Sequence, residues 1–318
     1  MRLLTPEAIR AALDGFDPVP AMEAAFRAFS RGEAVVPPPG ELLFQDPPGD
    51  VHIKYGHIAG GDYYVVKIAS GFYDNPRHGL PSGNGLVLAF RRRTGEPAAI
   101  LDDRGYLTDL RTAAAGAVAA RHLAPAEIDA IGIIGTGMQA EMQVLQLQSV
   151  RPCRDVVVWG RRPEAARDYA ERLGKRGFSV TIAASPAEVA ERCRLIVTAT
   201  PSAAVLLERA MVRPGTHVTA IGADTPDKQE LDPALFGAAR VVAVDSRAQG
   251  ALRGDLRHAL AAGAITLDRV VELGEIIDGR AAGRTDESEI TVAALTGLAV
   301  QDVAIASAVL ARASGGPG

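Results

Sequence analysis

Lysine is scarce in this sequence: Lys54, Lys67, Lys175 and Lys228 are the four lysines among 34 basic residues, and the rest are arginine. Cysteine is scarcer still. Cys153 and Cys193 are too few and too isolated for a disulfide framework or a zinc site, which fits a reducing compartment, the cytoplasm. No apolar run approaches the roughly 18 residues that span a bilayer, so no membrane partner is expected. A basic footprint is missing as well. The net charge is −4 and the pI about 5.9, which argues against nucleic acid and anionic membrane surfaces. The N-terminus lacks a long apolar core and a small-residue cleavage pattern. Thr5 there reads as an N-cap with Pro6 at the first helical position, so the segment is a folded helix and not a signal peptide. His52, His57 and His78 have no metal-ligand spacing, and no metal is expected. No Ser–His–Asp or Cys–His nucleophile system is visible. Internal repeats and low-complexity linkers are absent, and only "SGGPG", Ser314–Gly318, reads as disordered.

What is present is the composition of an ordinary globular protein, 47% hydrophobic and 23% charged over 318 residues, a length that predicts about two domains. Up to about Pro125 come a helix, the Pro-rich bend "VVPPPG" and strand-like runs "VHIKYGHI", "YYVVKIASGF", "GLVLAF" and "PAAILDD", parted by turn residues. The alanine-rich helix "RTAAAGAVAARHL" follows, its small residues allowing close backbone approach. From Ile128 to about Leu298, short apolar strands ("AIGIIG", "DVVVWG", "SVTIA", "LIVTAT", "HVTAIGA", "RVVAVDS") alternate with helical stretches. That alternation is the mark of βαβ units and a parallel sheet. A last helix, roughly Leu295–Ala313, closes the chain.

Two local features carry chemistry. In "YYVVKIASGF", Tyr63–Phe72, a strand that reads as buried on both faces holds Lys67 in its middle, where an ammonium has no cheap place. In "IGIIGTGMQA", Ile131–Ala140, a strand runs into Gly135-Thr136-Gly137-Met138-Gln139-Ala140 and then a helix. Gly135 suits the tight turn, Gly137 the backbone's approach to a pyrophosphate, and Ala140 close helix–strand packing. The diphosphate would sit on the helix N-terminus. The second strand should end in an acid if the adenosine ribose carries free hydroxyls. It ends instead in Gly160-Arg161-Arg162, which favours a 2′-phosphate, hence NADP(H) over NAD(H). Thr198 and Thr200 lie at another strand end, where either their hydroxyls meet the nicotinamide ribose or phosphates or they are plain strand residues.

Four segments together resemble the ornithine cyclodeaminase/mu-crystallin family: Leu80–Pro125, with "LTDLRTAA"; "IGIIGTGMQA"; "VTAIGADTPDKQELD", Val218–Asp232; and "ITVAALTGLAVQD", Ile290–Asp302. The resemblance implies an α/β homodimer. Residues 1–118 with 298–318 would form a smaller substrate-binding and dimerisation domain, and residues 119–297 a Rossmann-type doubly wound parallel sheet for the cofactor. It implies an NAD(P)-dependent enzyme acting on an amino or imino acid, by hydride transfer at the carbon next to a carboxylate. Cyclisation with ammonia release, imino-acid reduction and amino-acid dehydrogenation all occur in the family, as do crystallin-like members without turnover. Lys67 and Arg111 match the family's carboxylate-binding pair, and Asp224 its catalytic acid/base. Two cations converging on one carboxylate would offset the burial of both. The match breaks in the substrate domain. Glu41 stands near the place of a family arginine, and Lys54, Tyr55 or His57 near that of a cyclodeaminase glutamate, so Glu41 and Lys54 join the substrate-facing residues with reversed charge.

Overall fold

The computed structural model describes residues 1–72 and 74–314, and residues 315–318, most of the tail read as disordered, lie outside the described residues. The chain divides into two compact units, 1–111 with 298–318, and 112–297. The first junction falls at 111/112, inside the helix Tyr106–Leu123 and earlier than the division at 118/119 drawn from the sequence. Arg111 therefore belongs with the first unit, while the alanines after it are fully buried in the second.

The first unit is built on a seven-stranded sheet. Its order runs Arg2–Leu4, Pro97–Leu101, Gly83–Arg91, Tyr63–Phe72, Pro48–Ile58, Ala34–Val35, with Gly40–Gln45 also pairing to Pro48–Ile58. Arg2–Leu4 runs parallel to Pro97–Leu101, and the other pairings are antiparallel. One face carries the core with the helices Val19–Ser30 and Ala299–Ser314, through Met22, Phe26, Val300 and Val303. Thr5 caps the first helix, accepting from the Ala8 N–H at 3.3 Å, and Pro6 opens it. A single cross-strand row, Leu4–Leu101–Val87–Lys67–Lys54, crosses this buried face, so three apolar positions give way to two lysines.

The second unit is an eight-stranded parallel sheet of the Rossmann-type, doubly wound kind. Its order is Ser179–Ile182, Asp155–Trp159, Ile131–Ile134, Leu195–Thr198, His217–Ala220, Thr291–Ala294, Val241–Val244, Val270–Glu272. The central strands are buried at every residue, as expected of a parallel sheet covered on both faces. Thr291–Ala294 and Val270–Glu272 go unread in the sequence as strands, being short and, in the first case, rich in small residues. The chain reverses its direction of winding between Ile131–Ile134 and Leu195–Thr198, the place where ligands sit in open α/β sheets. Among the described residues, no helix is long and apolar enough to cross a membrane.

One polar residue inside this sheet predicts how it responds to acid. His217 is fully buried, its Nδ1 2.9 Å from Thr291 Oγ1 and its Nε2 2.9 Å from Thr219 Oγ1. Burial, then the Arg284 and Arg151 charges, push the imidazole down to about 3. A histidine with a lowered folded pKa contributes stability above its unfolded pKa that is lost as pH falls toward the folded value. Going from pH 7 to pH 5 should therefore cost the wild type about 2 kcal/mol through this residue alone. His217→Gln, which keeps hydrogen bonding to both threonines, should be spared that loss. Urea unfolding of both proteins at the two pH values measures the difference, and equal slopes would refute it.

Candidate functional site

The strand Tyr63–Phe72 is not buried on both faces, and this corrects the sequence reading. Val65 and Lys67 are its buried residues, both on the helix-covered face, while the other positions are half-buried. Pleating therefore aims Lys67 into the core of the first unit. Its partner comes from the C-terminal helix: Lys67 Nζ lies 3.6 Å from Asp302 Oδ2, the two side chains 3% and 2% exposed. Arg111 shares the same acid, its Nε 3.2 Å from Asp302 Oδ1, and its Nη1 donates to Gln301 Oε1 at 3.0 Å. Gln301 Oε1 also accepts from the Leu298 N–H at 2.8 Å, which fixes the start of the helix. The predicted cation pair is thus brought together, around an acid that sequence reasoning missed. Asp302 was legible in principle, as the lone acid in the apolar run "LAVQDVAIASAVL".

Burial is the chief force on the Lys67 ammonium, and Arg111 adds to it. Asp302 and Asp103 oppose them, and the group settles at about 8. Asp103 is the second buried acid. Burial pushes it up to about 6 against its backbone donors and Lys67, and its Oδ2 accepts from the Leu107 N–H at 2.7 Å. Lys54 sits directly across from Lys67 in the strand register and is 7% exposed. Glu41 is placed on the hairpin strand Gly40–Gln45, in register with His52, with Oε1 3.3 Å from His52 Nδ1. His52 Nε2 in turn lies 3.5 Å from Asp50 Oδ1. Glu41 therefore faces an imidazole on the same sheet face as the lysine pair.

In the second unit the glycine turn has the shape read from the sequence. Gly135 has φ of 129°, and a Cβ there would lie 2.5 Å from the Ala199 carbonyl oxygen, so only glycine fits. Gly137 caps the helix Met138–Leu147 in extended conformation, and a Cβ on it would meet nothing within 4 Å. That open space before a helix N-terminus is what a diphosphate requires. Ala140 is fully buried, and its carbonyl accepts from the Tyr169 hydroxyl at 2.9 Å. Gly160 closes on the turn from the next strand, since a Cβ would come 2.5 Å from Thr136 Cγ2. Arg161 and Arg162 follow it, both exposed, and Met138 and Gln139 open the helix, the former exposed and the latter half-buried. These residues fit a dinucleotide.

Asp224 lies just past the strand His217–Ala220, with Oδ1 2.7 Å from Lys228 Nζ and 37% of its side chain exposed. Thr198 and Thr200 are a correction. Both hydroxyls are spent on Glu230 and not held out for a ribose. Glu230 Oε2 accepts from Thr198 Oγ1 at 2.8 Å and the Gly222 N–H at 2.9 Å. Its Oε1 accepts from the N–H and the hydroxyl of Thr200, both at 2.7 Å. A fully buried carboxylate commands every donor in reach. Burial, then the Asp255 charge, pushes the Glu230 carboxyl up to about 8, against these four donors. In the sequence, Glu230 hides inside the charged run "DKQELD" and reads as surface.

Known proteins are similar to this chain in sequence and fold. The sequence profile of the ornithine cyclodeaminase/mu-crystallin family matches residues 3–317. An uncharacterized cyclodeaminase of Sinorhizobium fredii is 41% identical over 317 residues, covering 98% of this chain and 96% of its own. The structure of an archaeal alanine dehydrogenase dimer with bound NAD superposes with a TM-score of 0.91 at 35% identity, covering 99% of this chain and 96% of that one. Thermococcus litoralis Δ1-pyrroline-2-carboxylate reductase, in complex with NADH and L-proline, superposes with a TM-score of 0.93 at 27% identity, covering 99% and 98%. A family match over nearly every residue, on a fold shared from end to end, places the chain in the ornithine cyclodeaminase/mu-crystallin family.

Proposed function

We propose that this chain is an NAD(P)-dependent enzyme that oxidises or reduces an amino or imino acid at the carbon beside its carboxylate, with cyclodeamination as one form of the chemistry. The observation that carries this reading is the Lys67–Arg111 pair around a single buried acid. Counting the neighbours as well, three buried cations (Lys67, Arg111 and Lys54) face two buried acids (Asp302 and Asp103), which leaves one positive charge that one substrate carboxylate cancels. Arg111 would take that carboxylate through its planar fork, and Lys67 as a point charge. Oxidation of an amine removes a hydride from carbon and a proton from nitrogen, and a nicotinamide cofactor, when bound, supplies the hydride acceptor. Asp224, oriented by Lys228 and still part-exposed, takes the proton and then positions the amine or water that attacks the imine carbon. Glu41 and Lys54 face the substrate's side chain in this reading, and their charges differ from the family pattern.

The relatives named above, cyclodeaminase, alanine dehydrogenase and pyrroline-2-carboxylate reductase, bracket one reaction class and leave the net redox outcome to be measured. A homodimer, as in the archaeal alanine dehydrogenase, belongs to the same proposal, and so does a cytoplasmic location, with Cys153 and Cys193 both free. Ornithine, lysine, alanine, arginine and cyclic imino acids, each run with NAD(H) and NADP(H), test it by absorbance at 340 nm. Stoichiometric change means net redox, and product without net change means cyclodeamination. Silence across the panel would sink the reading. Asp224→Asn should lower kcat on the order of 10²–10⁴-fold while leaving cofactor affinity intact. Activity surviving that change would remove Asp224 from proton handling.

Cofactor choice follows from the second strand's end. With Gly160 followed by the exposed Arg161 and Arg162 in place of an acid, the proposal favours NADP(H), although the structural neighbours carry NAD and NADH. Replacing both arginines by serine should raise KM for NADPH at least about tenfold, the loss of roughly one charge-assisted contact, and leave KM for NADH within about twofold. Equal change for both cofactors would point to a solvated charge pair with no part in selection.

A further inference from the structure

Asp302 is odd as a purely structural residue. Apart from Gln301, the buried side of the helix Ala299–Ser314 around it is apolar, with Val300, Val303, Ile305, Ala306 and Val309, and an acid 1% exposed among them carries a large desolvation cost. Its two ion pairs are close but not aligned as hydrogen bonds. Among the described residues, neither Arg111 Nε nor Asp302 Oδ2 has a hydrogen-bond partner. An acid placed to neutralise the pair completely would make those bonds. This one cancels charge and leaves donor capacity on Arg111.

We propose that Asp302 is a positioning residue for the substrate carboxylate: it keeps Lys67 protonated and aims both cations, while leaving one net positive charge and unused donors for the ligand. The inference rests on the carboxylate reading above and deepens it. Lys67 is faced by Lys54 from the strand Pro48–Ile58, by Val87 from Gly83–Arg91, and by Arg111 from the helix Tyr106–Leu123. Asp103 faces it from the turn before that helix, and Asp302 from the C-terminal helix. Burial, Lys54 and Arg111 all favour loss of the ammonium proton, so Asp302 and Asp103 are the groups that keep it. Removing Asp302 must shift the Lys67 titration to lower pH.

The experiment is binding of pyruvate, with pyruvamide as the uncharged control, by calorimetry at saturating oxidised cofactor, at pH 6.5 and pH 9. For Asp302→Asn, pyruvate affinity at pH 6.5 should stay within about threefold of wild type or improve, since a competing anion is gone. At pH 9 it should fall about tenfold for each unit that the Lys67 titration moves down. A structural role would weaken binding equally at both pH values, and that result would overturn the inference. Lys67→Arg in the wild-type background gives a second test should Asp302→Asn fold poorly. A permanently charged guanidinium should flatten the fall in affinity between pH 6.5 and pH 9, and an unchanged fall would also overturn the inference. If wild type bound pyruvamide as well as pyruvate, the carboxylate reading itself would fail, an outcome separate from either variant's behaviour.

Discussion

The first unit depends on holding an ammonium and a guanidinium, each almost fully buried, against one carboxylate. Neither cation tolerates that position alone, and no apolar helix could cover the lysine row without leaving charges stranded. This constraint explains why the chain returns after residue 297 to supply the helix Ala299–Ser314, which brings Asp302 and Gln301 together with its apolar face. It also explains the scarcity seen first. A lysine inside a sheet needs a designated partner, and this fold provides for Lys67 from a point more than two hundred residues away in sequence.

The second unit obeys a matching rule with the sign reversed. Glu230 is a buried carboxyl group that gathers donors from the ends of two neighbouring strands and the loops after them, and Asp255 accepts from the backbone at Glu230 and Leu231. Gly222 shows how tight the arrangement is, because a Cβ there would lie 2.1 Å from the Thr200 carbonyl oxygen. The loop that carries Asp224 is thereby tied to the loop at Thr200, and proton chemistry at Asp224 begins from a fixed backbone.

How much could be read beforehand follows from which signals are local. The glycine turn, the βαβ alternation and the Thr5 cap depend on residues close in sequence, and the structure shows each where the pattern puts it. Lys67 announced itself by violating a local rule. The mistaken element was its surroundings, since strand alternation leaves one face half-exposed and the cover comes from far along the chain. Asp302, Glu230 and Asp103 went unread because an acid's environment is set by what folds over it, and "DKQELD" looks the same on a surface as in a core. Thr198 and Thr200 were given to a ligand for the same reason, as the acceptor that claims them lies about thirty residues on.

The Glu230 knot has a consequence for rebuilding this protein. Segments 198–202 and 222–230 behave as one cassette, because transplanting either alone from another sequence would leave a buried carboxylate short of donors or donors short of an acceptor. Altered selectivity is more accessible in the hairpin around Glu41 and Lys54, where the edge strand is exposed and paired along one side.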